Sequence, residues 1–176
     1  LEAAAGLTLS AVCLDDSPRR LEAGLRRLEE EVERQILPDG GHASRSPEAL
    51  LRAYDMLTKV ADALAAMNME PPHGIRNARD RMAPMLRFFR HGDGGLALFH
   101  GGHECDPRMI AGLLARDDVR GQPFHHARHS GYQRLAAGRT VIQLDCGKAP
   151  PGPLSVHAHA GFLAFEMSSG PHRIVV

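Results

Sequence analysis

The hydrophobic periodicity of the chain changes from helical to strand-like partway along the sequence, and this change constrains the fold more than any other feature. In the first ninety residues, apolar side chains recur every three or four positions, as at Leu21, Leu25 and Leu28. After Gly131, short apolar runs alternate with turn residues. Helices followed by strands predict an α+β chain with two packing units. We place a helical segment at residues 1–92 and a β segment at 93–176.

Three long helices are predicted in the first segment. The first begins at Ser17-Pro18, where a capping residue precedes a proline, and ends at the glycine-rich turn of residues 38–41. The second begins at Ser46-Pro47 in the same way. The third spans about 75–89 and contains Pro84, which should bend it. The short connections predict an antiparallel helical array.

The second segment predicts a brief helix and then a sheet. Asp106-Pro107 opens a helix that ends near residue 115. The predicted strands are 132–135, 140–144, 162–167 and 173–176, with a turn at Ala137-Gly138 between the first two. The last of these strands looks cut in the middle. Its unpaired edge predicts aggregation or dimerisation.

Composition excludes some classes of function. The chain has 176 residues with 21 basic and 21 acidic side chains, and this balance argues against a general nucleic-acid binder. No apolar stretch approaches the length of a membrane span. The three cysteines are too few and too scattered for a disulfide framework, so we predict unpaired thiols. Nine of the eleven histidines fall at or after His91, which suits acid/base chemistry or metal binding. A histidine-rich metal-binding domain therefore stays an alternative, although no closely spaced ligand set appears.

Four segments, in the same order as in the family, resemble the heparinase II/III polysaccharide lyases. They are the RQILPDGGHASRSP stretch at 34–47, RMAPMLRFFR with the following GDG turn at 81–94, the hairpin region at 130–147, and HAHAGFLAFE at 157–166. The resemblance covers nearly the whole chain. It implies part of an α/α toroid followed by the start of an antiparallel β-sandwich, with a substrate cleft between them.

The resemblance also implies an activity, namely β-elimination on a uronate-containing acidic polysaccharide. One group must neutralise the sugar carboxylate, a base must take the adjacent proton, and an acid must protonate the leaving oxygen. We predict that Arg45 neutralises the carboxylate, that His42 contacts substrate in the cleft, and that His157 is the base or the acid. His159 is predicted to bind Zn²⁺ or to share the acid/base role. Members of this family suggest a location in the bacterial cell envelope or periplasm.

The residues themselves leave a second interpretation open at each position. His42 follows a helix in a glycine-rich turn, where functional residues are common but ordinary turn histidines also occur. Arg45 offers a planar fork for a carboxylate, or is an exposed charge at a helix start. His157 and His159 would share one face of a strand, either as ligands or as a solvent-facing pair. Asp93 in the GDG turn is interpreted as a backbone-capping residue.

The sequence departs from the family at several functional positions. The family's Asn-His pair on an earlier helix has no match in this chain. Arg45 stands near the place of a family glutamate, and Ala49-Leu50 occupy the place of a tyrosine. Gly161 replaces the aspartate of the HxHxD element. The alternative hypothesis is therefore a non-catalytic glycan-binding or cell-envelope protein that retains the lyase architecture.

Overall fold

A computed structural model describes residues 1–14, 18–116, 123–156, 158–159 and 161–176 of the chain. Helices come first and an antiparallel sheet follows, which confirms the α+β prediction. The helices are α1 Glu2–Cys13, α2 Pro18–Gln35, α3 Pro47–Ala66, α4 His73–Phe88 and α5 Pro107–Leu114. The strands are β1 His126–Ala127, β2 Tyr132–Ala137, β3 Thr140–Asp145, β4 Phe165–Ser169 and β5 His172–Val175, in that order across the sheet.

The helix starts follow the local sequence rules. At α3, the Ser46 hydroxyl accepts a hydrogen bond from the Ala49 amide at 3.4 Å, and Pro47 occupies the first turn. The predicted cap Ser17 lies outside the described residues, and α2 begins at Pro18. The sequence analysis did not predict α1 as a separate helix. Its buried residues, such as Ala5 and Thr8, are too small to give a clear apolar stripe.

The hydrophobic core crosses the boundary that the sequence predicted. Tyr54 is 2% exposed on α3, as expected for a core residue. Phe99 and Ile110, which follow the predicted boundary at 92/93, belong to the same buried cluster, and so does Tyr132 of the sheet. The boundary itself stays a prediction. No helix in the described part of the chain has both the length and the apolar character needed to cross a membrane.

The sheet begins with the predicted hairpin and then departs from the expected pattern. Strands β2 and β3 pair from Tyr132↔Asp145 to Ala137↔Thr140. The strand β4, in contrast, was expected from Phe162 and begins only at Phe165. Residues 161–164 form a turn instead, closed by a 2.8 Å hydrogen bond from the Leu163 amide to the Asp145 carbonyl and by one of 2.7 Å from Ala164 to Gly161. Gly161 therefore lies in a tight turn that precedes β4 and is hydrogen bonded to the last residue of β3.

The two faces of the sheet have opposite character. The face that packs against the helical unit, here called the inner face, is polar and buried. It carries Tyr132, Arg134, Gln143, Asp145, Glu166 and Ser168, each no more than 8% exposed. On the outer face, Leu135, Phe165 and Ile174 are about half exposed. Binary patterning would place the apolar face inward, so this sheet reverses the usual arrangement.

Polar side chains of the inner face bond to the backbone at the end of α4. The Arg134 guanidinium donates to the carbonyls of Phe88 at 2.8 Å and Arg90 at 2.9 Å. The Gln143 amide donates to the Phe89 carbonyl at 3.0 Å. These bonds satisfy carbonyls that a helix end leaves without a partner. The sheet is therefore positioned on the helices by directed hydrogen bonds.

Candidate functional site

A cleft of about 580 Å³ lies between the helical unit and the β segment. Its helical wall is formed by the starts of α1 and α3 and the turn after α2. The opposite wall is formed by the loop after Phe99 and by Pro153, Leu154, Val156 and Ala158. The charged or titratable side chains among the described lining residues are Glu2, His42, Glu48, Arg52, His100 and His103. A polar cleft at the junction of two structural units is a usual place for a ligand site.

His42 lies in this cleft wall with both ring nitrogens bonded. The Ser44 amide donates to Nδ1 at 3.1 Å, so Nδ1 carries no proton. Nε2 then donates to Gln35 Oε1 at 3.2 Å. Burial, reinforced by nearby positive charges including that of Arg52, lowers the pKa of His42 to about 4. His42 is thus a neutral, fixed part of the wall near pH 7. Its predicted contact with substrate stays a prediction.

Arg45 is withdrawn from the cleft and joins the helical unit to the sheet. It adopts a left-handed backbone (φ 63°) and is 6% exposed. Its guanidinium forms an ion pair with Asp145 and donates to the carbonyls of Ser130 at 2.9 Å and Lys148 at 2.8 Å. It also lies 4.8 Å from the centroid of the Tyr132 ring, whose hydroxyl donates to the Arg45 carbonyl at 2.7 Å. Through these contacts Arg45 positions the sheet relative to the start of α3. Its predicted role as carboxylate neutraliser stays untested.

The close approach of Arg45 requires glycine on the β segment. A Cβ atom at Gly147 would overlap the Arg45 guanidinium, and one at Gly131 (φ 75°) would overlap Gly147. The hairpin motif that suggested the family is therefore shaped to receive Arg45.

Two aspartate–glycine turns, one after α2 and one after α4, also bond to the later part of the chain. The Asp39 carboxylate accepts hydrogen bonds from the amides of His129 at 2.8 Å and Ser130 at 2.6 Å. The Asp93 carboxylate accepts one from the Gly95 amide at 2.8 Å, as a capping residue does, and another from Arg173 Nε at 2.8 Å. These motifs hold the walls of the cleft in place, and neither aspartate lines it among the described residues.

Asp145 links Arg45 to a histidine of the cleft wall. Its second carboxylate oxygen lies 3.0 Å from His100 Nε2. Burial by itself would raise the pKa of Asp145, but hydrogen bonds from His100, Arg45 and the Gly147 amide outweigh it and lower the pKa. Sequence analysis did not identify His100. Its partner Asp145 is 45 residues away, and no local motif joins them.

Arg52 is the cation that the described cleft presents most openly. Its side chain is 61% exposed on α3, with Nε 4.0 Å from a Glu48 oxygen. Glu48 is already engaged by His103, whose amide and Nδ1 lie 2.9 and 3.1 Å from its second oxygen. Burial raises the pKa of Glu48, but these bonds from His103 and the charge of Arg52 lower it overall. Sequence analysis missed Arg52, because on a helix the Glu48–Arg52 spacing is typical of a surface ion pair.

Of the two histidines in the HAHAG element, only His159 belongs to the described residues. His157 lies outside the described residues, and its predicted role stays a prediction. His159 is exposed and outside any strand, so the expectation that it alternates with His157 along a strand is wrong for the described part. Its carbonyl accepts a hydrogen bond from the Gly161 amide at 2.8 Å.

Zinc binding through His159 stays a prediction. Among the described residues, no group of three His, Cys, Asp or Glu side chains is placed to hold a metal. A Cβ atom at Gly161 would lie 3.6 Å from Asp145 Oδ2, so an aspartate there would bring a second carboxylate beside a buried one. Glycine at position 161 therefore keeps a second carboxylate away from Asp145, which already pairs with Arg45 and His100. The three cysteines are unpaired.

Comparisons with known proteins agree with this architecture. Residues 119–176 match the family described as heparinase II/III-like, C-terminal. FtsZ-localized protein C of Caulobacter vibrioides is 39% identical over 178 residues, covering 99% of this chain and 31% of that protein. A mutant of heparan sulfate lyase HepC from Pedobacter heparinus superposes with a TM-score of 0.77 at 20% identity, over 97% of this chain and 31% of the lyase. A heparinase III structure gives 0.75 at 14% identity, over 97% and 33%. The chain thus spans about a third of the length of these relatives.

Proposed function

From the match of residues 119–176 to the heparinase II/III-like family, we propose that the cleft of this chain binds an acidic, uronate-containing polysaccharide. The observation that carries the proposal is the exposed guanidinium of Arg52 in a cleft between the helices and the sheet. A guanidinium binds a carboxylate through two parallel hydrogen bonds. Arg52 therefore takes the carboxylate-binding role that the sequence analysis gave to Arg45, whose donors face the sheet.

β-Elimination is the second candidate function, and the fold shared with heparan sulfate lyase supports it. In that case Arg52 would hold the carboxylate and His157 would transfer the proton, as predicted from the family motif. The bonded state of His42 and Arg45 favours the alternative that the protein binds the glycan without cleaving it. Both candidates place the same ligand in the same cleft, so binding is the part they share.

A location at the cell envelope, close to the division machinery, belongs to the same proposal. The Caulobacter relative carries a name that places it with FtsZ. A fluorescent fusion that stays diffuse through division would contradict this part of the proposal.

Glycan binding is tested by comparing Arg52→Gln with Lys59→Gln. Both residues lie on α3, both are about 60% exposed, and each forms an i,i+4 pair with an acidic residue. Only Arg52 lines the described cleft. With uronate oligosaccharides in calorimetry, Arg52→Gln should weaken binding by about tenfold, which is the effect of losing one charged hydrogen-bonded contact. Equal affinities for the two variants would refute the role of Arg52.

Elimination is tested separately by ultraviolet absorbance of the unsaturated product. The panel is heparin, heparan sulfate, chondroitin sulfate, hyaluronan and alginate, with wild type and His157→Ala. A rise in absorbance that disappears in His157→Ala supports the lyase. Binding without any rise in absorbance supports the non-catalytic alternative.

A further inference from the structure

Among the described residues, His100 is a buried histidine of the cleft wall with a ring nitrogen that has neither a hydrogen bond nor an ion-pair contact. Both nitrogens of His42 are hydrogen bonded. In His91, Nδ1 lies 2.9 Å from Ser168 Oγ, whereas Nε2 makes no hydrogen bond and has only an ion-pair contact with a Glu166 oxygen at 3.2 Å. In His100, Nε2 is bonded to Asp145, while Nδ1 is buried and has no hydrogen-bond partner within the part of the chain that the structure describes. One nitrogen in the cleft wall is therefore left unused.

The bond to Asp145 fixes which proton His100 carries. Asp145 has a lowered pKa and also accepts from Arg45 and Gly147, so its carboxylate is ionised and only accepts. The proton between Asp145 and His100 thus belongs to Nε2. In the neutral imidazole, Nδ1 is then the nitrogen with a free lone pair. In this neutral tautomer, Asp145, itself paired with Arg45, leaves Nδ1 of His100 as a hydrogen-bond acceptor.

Buried polar atoms in proteins are nearly always hydrogen bonded, so an unused acceptor requires a reason. His100 lines the cleft in which we place a polysaccharide. It also holds an uncommon left-handed backbone (φ 54°), which the surrounding structure must maintain. The donors most abundant on a polysaccharide are its hydroxyl groups. A hydroxyl that enters the cleft wall would supply the donor that Nδ1 lacks.

We propose that His100 is a ligand-contacting residue whose Nδ1 accepts a hydrogen bond from a glycan hydroxyl, with Asp145 and Arg45 as its positioning residues. This inference rests on the proposed glycan binding. It adds a neutral, hydroxyl-directed contact to the charged contact of Arg52. The two contacts together would select a sugar that carries a carboxylate and a hydroxyl at a fixed separation.

The test combines glycan affinity with nitrogen NMR of the histidine rings. In the free protein, Nδ1 of His100 should give the signal of an unprotonated nitrogen, and adding the uronate oligosaccharide should shift that signal, with His91 unchanged. His100→Phe should bind about tenfold more weakly, as expected for one lost buried hydrogen bond. The matched control is His91→Phe, which removes a histidine from the same interface but away from the described cleft. This variant should bind with an affinity within about twofold of wild type, because it removes no contact to the ligand.

The outcomes separate the two proposals. If wild type binds no glycan, the proposed function fails and this inference fails with it. If wild type binds while the Nδ1 signal of His100 stays unchanged, the inference alone is overturned, even when a variant is too unstable to assay. A shift of Nδ1 accompanied by weaker binding of His100→Phe supports the inference.

Discussion

The inner and outer faces of the sheet obey different rules, although they belong to the same four strands, β2 to β5. The inner face buries Arg134, Gln143, Asp145 and Glu166 against helix ends and loops, where each meets a partner. The outer face exposes apolar side chains such as Phe165. Burial of polar groups adds little net stability, but it makes one relative placement of the two units far better than any other. The polar inner face therefore fixes the position of the sheet on the helices, while the apolar outer face is exposed in the described structure.

The largest effect should come from removing Arg45. An Arg45→Ala change leaves Asp145 buried without its main cation, and breaking a buried pair of this kind destabilises a protein by about 3–5 kcal/mol. Urea unfolding should show this loss in the free energy of unfolding. The control is Arg52→Ala, an exposed change on the neighbouring helix that should stay within about 0.5 kcal/mol of wild type. A loss below about 1 kcal/mol for Arg45→Ala would mean that the inner face does not hold the units together.

A pH-dependent effect of intermediate size should come from His42. Its pKa is about 4 in the folded protein against an ordinary value of 6.5, so between these values the unfolded chain binds more protons. The free energy of unfolding should therefore fall as the pH drops from 6.5 to 4, by about 3 kcal/mol in total from this residue. Chemical unfolding at several pH values measures the slope, and His42→Gln should flatten it. An equal slope in His42→Gln would assign the pH dependence to other groups.

The smallest effect on stability should come from the outer face. Because Leu135 and Phe165 are about half exposed, Leu135→Thr and Phe165→Thr should each change the free energy of unfolding by no more than about 0.5 kcal/mol. The same changes should reduce self-association of the chain in light scattering, since large exposed apolar patches promote association. If wild type is already monomeric at high concentration, both this prediction and the predicted association through the edge of β5 are wrong.

The fold was largely accessible from sequence because its signals are local. Serine–proline pairs and apolar spacing located the helices, and Gly138 located the hairpin turn. The start of β4 was placed three residues too early, since the apolar run from Phe162 looks like a strand while Leu163 adopts a left-handed turn conformation (φ 65°). Hydrogen bonds between Asp145 and residues 163 and 164 determine the turn conformation of this segment. The apolar pattern within the run does not indicate these long-range bonds.

The candidate site was less accessible, because its decisive contacts are long-range. The resemblance to a family drew attention to the turn after α2, and His42 does line the cleft. It could not show that Arg45 pairs with a residue 100 positions away, or that His100 pairs with the same carboxylate. Arg52 was overlooked because spacing along a helix does not reveal which exposed cation faces a cleft.

The pairing of Arg45 with Asp145 also sets the order in which the chain can assemble. The contacts inside α2, α3 and the β2–β3 hairpin join residues close in sequence and can form early, whereas this pair closes a loop of about a hundred residues, which folds slowly. Until it closes, the polar inner face remains hydrated and is a poor surface for wrong contacts. The late step is then the closure of this loop, and the ion pair forms only when the helices and the sheet are correctly aligned.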